Sequence, residues 1–147
     1  MDLLDTLFHA AMARDADAIA ELEMEADRLF QDEETILHLQ SQQGNTERVK
    51  FILREFPHKN LLTKLTRYKH SALHRAIYFG HTEVAEVLVD AARQLPPSND
   101  QVTSIQSFLR QGDKVMDTAL HTAVKYGHLD IVKLLVQNTD VHRIWRS

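Results

Sequence analysis

Ser71-Ala72-Leu73-His74-Arg75-Ala76-Ile77-Tyr78-Phe79-Gly80-His81-Thr82-Glu83-Val84 decides the fold, because two other stretches repeat its pattern in phase. Thr35-Ile36-Leu37-His38 and Thr118-Ala119-Leu120-His121 match its opening, and six residues after each His comes a Gly: Gly44, Gly80 and Gly127. A polar opener and an acid follow, as Asn45-Thr46-Glu47, His81-Thr82-Glu83 and His128-Leu129-Asp130, and then an apolar run over 49–53, 84–89 and 131–136. Self-similarity of this kind belongs to stacked supersecondary units and not to one closed core. Stacked units present a long surface and need no reaction pocket, which points to binding and away from chemistry.

Each unit reads as two helices. The Thr or Ser is a good N-cap, since its hydroxyl accepts from an otherwise orphan backbone N–H. A first helix of about two turns follows, and the Gly tolerates the left-handed conformation that ends it. Three of the 4 Gly in the chain stand at this one repeat position, so the position selects for glycine. The second helix carries an apolar stripe at helical spacing: Val49, Ile52 and Leu53; Val84, Val87 and Leu88; Ile131, Leu134 and Leu135. No such pair buries its stripe alone, so neighbours must stack. The spacing is uneven, 36 positions from Thr35 to Ser71 and 47 from Ser71 to Thr118. The surplus lies between units, a short stretch in 56–68 and a longer one at about 91–116. In the longer one Pro96-Pro97 and Ser98-Asn99-Asp100 precede Val102, Ile105, Phe108 and Leu109 at helical spacing, with Gly112 as a stop. It reads as a loop with one short helix laid back on the stack.

The totals bound the rest. The chain has 147 residues, suited to one domain, with 44% hydrophobic and 26% charged residues, enough to bury a core. With 0 Cys it has no disulfide framework and no thiolate metal site. The opening Met1-Asp2-Leu3-Leu4-Asp5 lacks the basic flank and apolar core of a signal peptide. No apolar run reaches the ~18 residues that a membrane span needs. The net charge of −4 hides an asymmetry: residues 1–34 carry eleven acids against Arg14 and Arg28, and residues 48–75 carry eight cations against Glu55.

With these residues in view, the chain resembles an ankyrin-repeat array. The T-x-L-H…G-[HN]-x-[ED] pattern covers about 31–137, and 7–19 resembles the degenerate first unit of such arrays, with charge on its outer face. The resemblance implies an all-α solenoid of stacked helix pairs with hairpin-like loops, in a single array over 1–147. Its expected parts are a first unit at 3–30, repeats at about 31–56, 66–92 and 113–137, a helical insert at about 93–112 and a tail at 138–147. More narrowly, a strand at Asn60-Leu61-Leu62-Thr63-Lys64, the insert ending in Phe108-Leu109, and Asp117-Thr118-Ala119-Leu120-His121 resemble plant ankyrin proteins of the accelerated-cell-death type. In those the repeats precede a membrane domain. That implies plant defence or stress signalling, in the cytoplasm, with membrane association only as part of a longer chain. The array departs from the family pattern in several places. Glu33, Lys69 and Met116 replace the turn Gly, which implies less regular hairpins. Gln40 stands where Ala76 and Ala123 are small, and a buried Gln needs partners. Arg48 replaces the core aliphatic of Val84 and Ile131, so the first full repeat should be the loosest internal one.

Histidine invites a metal reading, and 9 are present. His38, His74 and His121 are better read as holding neighbouring loops by ring hydrogen bonds. His70 and His74 lie on either side of the Ser71 cap and so share no helical face, and no thiolate or convergent carboxylate completes a site. No metal and no cofactor are expected. No phosphate loop, nucleophile elbow or H-E-x-x-H occurs, and Ser or Thr near His recurs only as cap and stack, so no enzyme is expected. In ankyrin arrays the hairpin tips and exposed first-helix ends line the concave face. Carried over, the tips are Gln31, Asp32 and Glu34; Arg67, Tyr68 and His70; and Lys114, Val115 and Asp117. The helix ends are Gln42-Gln43, Tyr78-Phe79 and Lys125-Tyr126. The expected binding residues are Arg67, Tyr68, His70, Tyr78, Phe79, Lys114, Lys125 and Tyr126, because aromatics and Arg anchor interfaces. Phe79 or Tyr126 taken alone reads equally well as half-buried packing between units. The partner expected is another protein. Nucleic acid is disfavoured by the negative net charge and the acidic first segment; those acids instead neutralise the basic stretch, within the chain or between chains. The array stops after Val136 without an obvious polar cap, which sets up the alternative: a self-associating fragment of a longer membrane-linked protein, forming a homodimer through its C-terminal end.

Overall fold

Four helix pairs are built from the same local rules. The computed structural model describes residues 3–94 and 119–138. The expected insert helix, Lys114, Val115, Asp117, the third cap at Thr118 and the tail beyond Asn138 lie outside the described residues. The pairs are α1 (Leu3–Met12) with α2 (Ala16–Asp27), α3 (Ile36–Gln43) with α4 (Thr46–Glu55), α5 (Ala72–Tyr78) with α6 (Thr82–Arg93), and α7 (Ala119–Lys125) with α8 (Leu129–Asn138). The fold is all-α. First helices pack on first helices, α3 on α5 and α5 on α7, and second helices likewise, α4 on α6 and α6 on α8. The core runs as one band through the stack, from Phe8 and Leu22 through Ile36, Ile52, Leu73 and Leu88 to Leu120 and Ile131.

The turn between the two helices of a unit is the same each time. Gly44, Gly80 and Gly127 sit at φ 74°, 74° and 72°. In each unit the next residue's N–H bonds back to a carbonyl of the first helix: Asn45 to Gln40, His81 to Ala76 and His128 to Ala123, at 2.8–3.1 Å. The first unit does the same with Asp15 N–H on Ala10 at 3.1 Å, and Arg14 takes the glycine's place at φ 72°.

The two described hairpin tips close with the same bond, although their backbones differ at one residue, Asp32, which also takes a φ of 61°. Phe30 N–H bonds to Glu34 O and Thr66 N–H to His70 O, both at 2.9 Å, and Arg67 N–H joins the two tips through Asp32 O at 2.9 Å. The tip geometry is kept because Glu33 and Lys69 accept φ of 63° and 65° in place of the glycine.

Residues 60–64 form no strand, a second correction. Pro57–Lys59 and Leu61–Thr63 are single 3-10 turns separated by Asn60 at φ 55°. Asn tolerates that conformation. The turn lets Leu61 and Leu62 both face the core, at 4% and 6% exposure, which strand alternation would prevent.

The apolar stripe of α4 also differs from expectation. Val49, Phe51 and Ile52 are buried and Leu53 is half-buried. Arg48 occupies the register position of Val84 and Ile131, which made the stripe look displaced by one. The arginine bonds Asp5 at 2.6 Å and lies 4.8 Å above the Phe8 ring, so it joins the second unit to the first. Gln40 is fully buried, as its neighbour Ser41 is. Its carbonyl accepts from Asn45 Nδ2 at 2.9 Å, and its amide nitrogen finds no partner among the described residues.

Candidate functional site

Histidine sets the surface in place. Thr35 Oγ1 accepts from His38 N–H at 3.3 Å, and His38 Nδ1 accepts from Thr35 N–H at 3.1 Å. Ser71 and His74 repeat that reciprocal cap at 3.3 and 3.2 Å. His38 Nε2 faces the His70 carbonyl at 2.9 Å. A carbonyl only accepts, so Nε2 carries the proton and Nδ1 is the acceptor. Burial pushes the His38 pKa down from 6.5 to about 4, with Arg75 adding to that effect and the His70 carbonyl opposing it. His38 is therefore a neutral tether from one unit to the hairpin tip of the next. His81 makes a matching contact at the other end, with Nε2 at 2.9 Å from the Gln42 carbonyl. Gly44 lies under that ring, where a Cβ would come within 2.6 Å of it. Among the described residues no three His, Asp or Glu converge on a metal-sized site.

The tethered tip and the end of α5 carry two groups of rings. Tyr68 lies 6.4 Å from His70, and His70 stacks on His74 at 6.1 Å. His70 and His74 share no helical face, yet their rings meet because the tip folds back over the start of α5. Tyr78 is four residues beyond His74 on the same face of the helix. It meets Phe79 at 5.0 Å and Tyr126 of the next unit at 4.8 Å, both edge to face. Tyr78, Phe79 and Tyr126 stay 52%, 46% and 43% exposed. They are half-buried packing between units and an open surface together. Lys125 Nζ lies 5.6 Å over the Tyr126 ring.

Electrostatics distinguish this region from the rest of the stack. Acids of the first unit pair with the basic stretch, Asp5 with Arg48 and Asp27 and Glu23 with Lys59, and one pair runs the other way, Arg14 with Glu55. Arg75, half-buried at the root of the surface, pairs with Glu34 of the preceding tip and bonds Gln42 at 3.3 Å. Three of the eight cations of residues 48–75, Arg48, Lys59 and Arg75, thus pair with acids of the first segment. Arg67, Lys69 and Lys125 are exposed and take part in no ion pair among the described residues. Lys69 was not among the expected site residues. Its signal was its place at the turn glycine, since a side chain there projects from the tip.

A groove of about 540 Å³ lies elsewhere, between α4, α6 and the 3-10 turns, lined by Leu53, Phe56, Leu61, Leu62, Val87 and Ala91 with Lys50 and Arg54 among the polar residues. It shares no residue with either group of rings.

Comparison with known families agrees with this architecture. The family described as ankyrin repeats (3 copies) matches residues 7–98, and the single ankyrin repeat matches residues 117–144. The chain belongs to the ankyrin-repeat family. Such repeats are protein–protein interaction modules and are generally not enzymes. No helix among the described residues is long and apolar enough to cross a membrane. No curated protein matches the chain.

Proposed function

We propose that this chain binds a protein partner on the face made by Arg67, Tyr68, His70, Tyr78, Phe79, Lys125 and Tyr126. The observation that carries the reading is that Tyr78 meets both Phe79 and Tyr126 edge to face while all three rings remain about half exposed. Exposed aromatics clustered on a rigid helical scaffold are the usual anchors of an interface. The setting within this proposal is the cytoplasm and plant defence or stress signalling, on the resemblance of 117–121 and the insert alone. The test is affinity capture from native lysate with the wild-type chain and a Tyr78→Ala/Tyr126→Ala variant. The variant should fold normally and lose the captured protein; undiminished capture would refute the face.

A second reading has its own observation. Leu129 is 71% and Val136 41% exposed on α8, the last described helix, and exposed aliphatic residues there favour self-association through that end. Light scattering at rising concentration tests it, and a constant monomer mass would argue against it.

A further inference from the structure

We infer that the partner presents an extended, acidic segment to this face, with an apolar or prolyl residue about three positions from its carboxylates. This rests on the aromatic face being the docking surface. The first observation is where ion pairing fails. Arg14, Arg28, Arg48, Lys50, Arg54, Lys59, Arg75 and Arg93 each pair with an acid of this chain. Among the described residues, Lys64, Arg67, Lys69, Lys125 and Lys133 do not. Three of those five sit on the hairpin arm 64–70, and Lys125 sits beside Tyr126. Only Lys133, on α8, is away from the face. Cations left open at the rim of an aromatic patch are complementary to carboxylates.

The second observation is shape. The basic arm and the exposed rings lie at opposite ends of α5, which has seven residues, a length of ~10 Å at 1.5 Å per residue. An extended chain advances roughly 3.3 Å per residue, so about three residues bridge the two ends. Tyr78, Phe79 and Tyr126, edge to face, offer ring walls to a leucyl or prolyl side chain. Carboxylates three positions along the same segment then reach Arg67 and Lys69 at the tip, with Lys125 adding positive potential beside the rings.

The probes are fluorescein-labelled peptides of Gly and Ser, about twelve residues long, each carrying one Leu–Pro pair. One has two Glu three positions away, one has the two Glu adjacent to the pair, and one has Lys in place of Glu. Fluorescence anisotropy should rank the spaced Glu peptide roughly tenfold tighter than the Lys peptide, with the gap narrowing as salt rises from roughly 0.05 to 0.5 M. An Arg67→Glu/Lys125→Glu variant should lose that preference, and Tyr78→Ala should weaken both peptides alike. Unchanged thermal unfolding of each variant keeps the comparison valid, since all three side chains are exposed. Equal affinity for the Glu and Lys peptides, or no peptide binding at all, overturns the inference. If the protein captured from lysate is then still lost on Tyr78→Ala/Tyr126→Ala, the interaction face stands and only the acidic segment falls. If that capture survives the change, the face itself is wrong.

Discussion

Lys69 and Glu33 hold a backbone conformation that side chains adopt at a cost of roughly 1–2 kcal/mol each. The hairpin bonds around them, Thr66 to His70 and Phe30 to Glu34, show that the array keeps its turn even where glycine is absent. Replacing Lys69 with Gly relieves the strain, offset in part by the greater freedom of the unfolded chain, so Lys69→Gly should stabilise by about 0.5–1 kcal/mol in urea unfolding. A loss of stability would contradict the strained-turn account. His38 makes a second prediction. Its folded pKa of about 4 lies below the unfolded 6.5, so on acidification the unfolded chain takes up the proton first. Its contribution is complete above pH ~6.5 and lost as pH falls toward 4, roughly 2 kcal/mol of it by pH 5. Urea unfolding at pH 7 and pH 5 should show His38→Asn losing less stability on acidification than the wild type; equal losses would refute the neutral tether. The positions of these residues were legible in the sequence, because cap, histidine and glycine recur. The tether's partner was not, since the His70 carbonyl is identified only by the packing of one unit on the next.

At the level of elements, the glycine turns differ although their backbone angles agree. A Cβ on Gly44 would lie 2.6 Å from the His81 ring, and on Gly127 it would meet nothing within 4 Å. Both Gly→Ala changes carry the left-handed strain of roughly 1–2 kcal/mol. Gly44→Ala must also displace the ring that bonds Gln42. We expect about 1 kcal/mol for Gly127→Ala and upwards of about 2 for Gly44→Ala in thermal unfolding, and equal costs would show that the histidine rung is loose. The helix pairs themselves were legible from periodicity, but two elements were not. Arg48 masked the register of α4, because a cation in an aliphatic position breaks the pattern that marks a buried face. Residues 60–64 look like a strand because Leu61 and Leu62 are apolar and adjacent, and only the left-handed Asn60 turns them into a 3-10 turn that buries both.

The whole molecule is a stack in which charge ties units together and leaves one region open. Arg48 is one such tie, 15% exposed, with its guanidinium on Asp5 and above the Phe8 ring. Arg48→Ala should cost about 1–2 kcal/mol in urea unfolding, against a few tenths for Arg28→Ala, whose pair with Glu25 is exposed. Similar small losses would mean that the Arg48–Asp5 pair adds nothing to the joint between the first two units. The sequence showed the acidic and basic halves but not which of their charges meet, since pairing across 43 positions is decided by stacking. For the same reason it gave the aromatic positions by register, but not that the cations beside them lack partners. The central claim is that this remaining face, with its rings and open cations, is where a partner docks. Amide chemical shifts recorded while titrating in the captured partner test it most directly. We expect changes gathered at residues 67–70, 78–79 and 125–126, and changes gathered instead along Leu53, Phe56, Leu61 and Val87 would contradict the account.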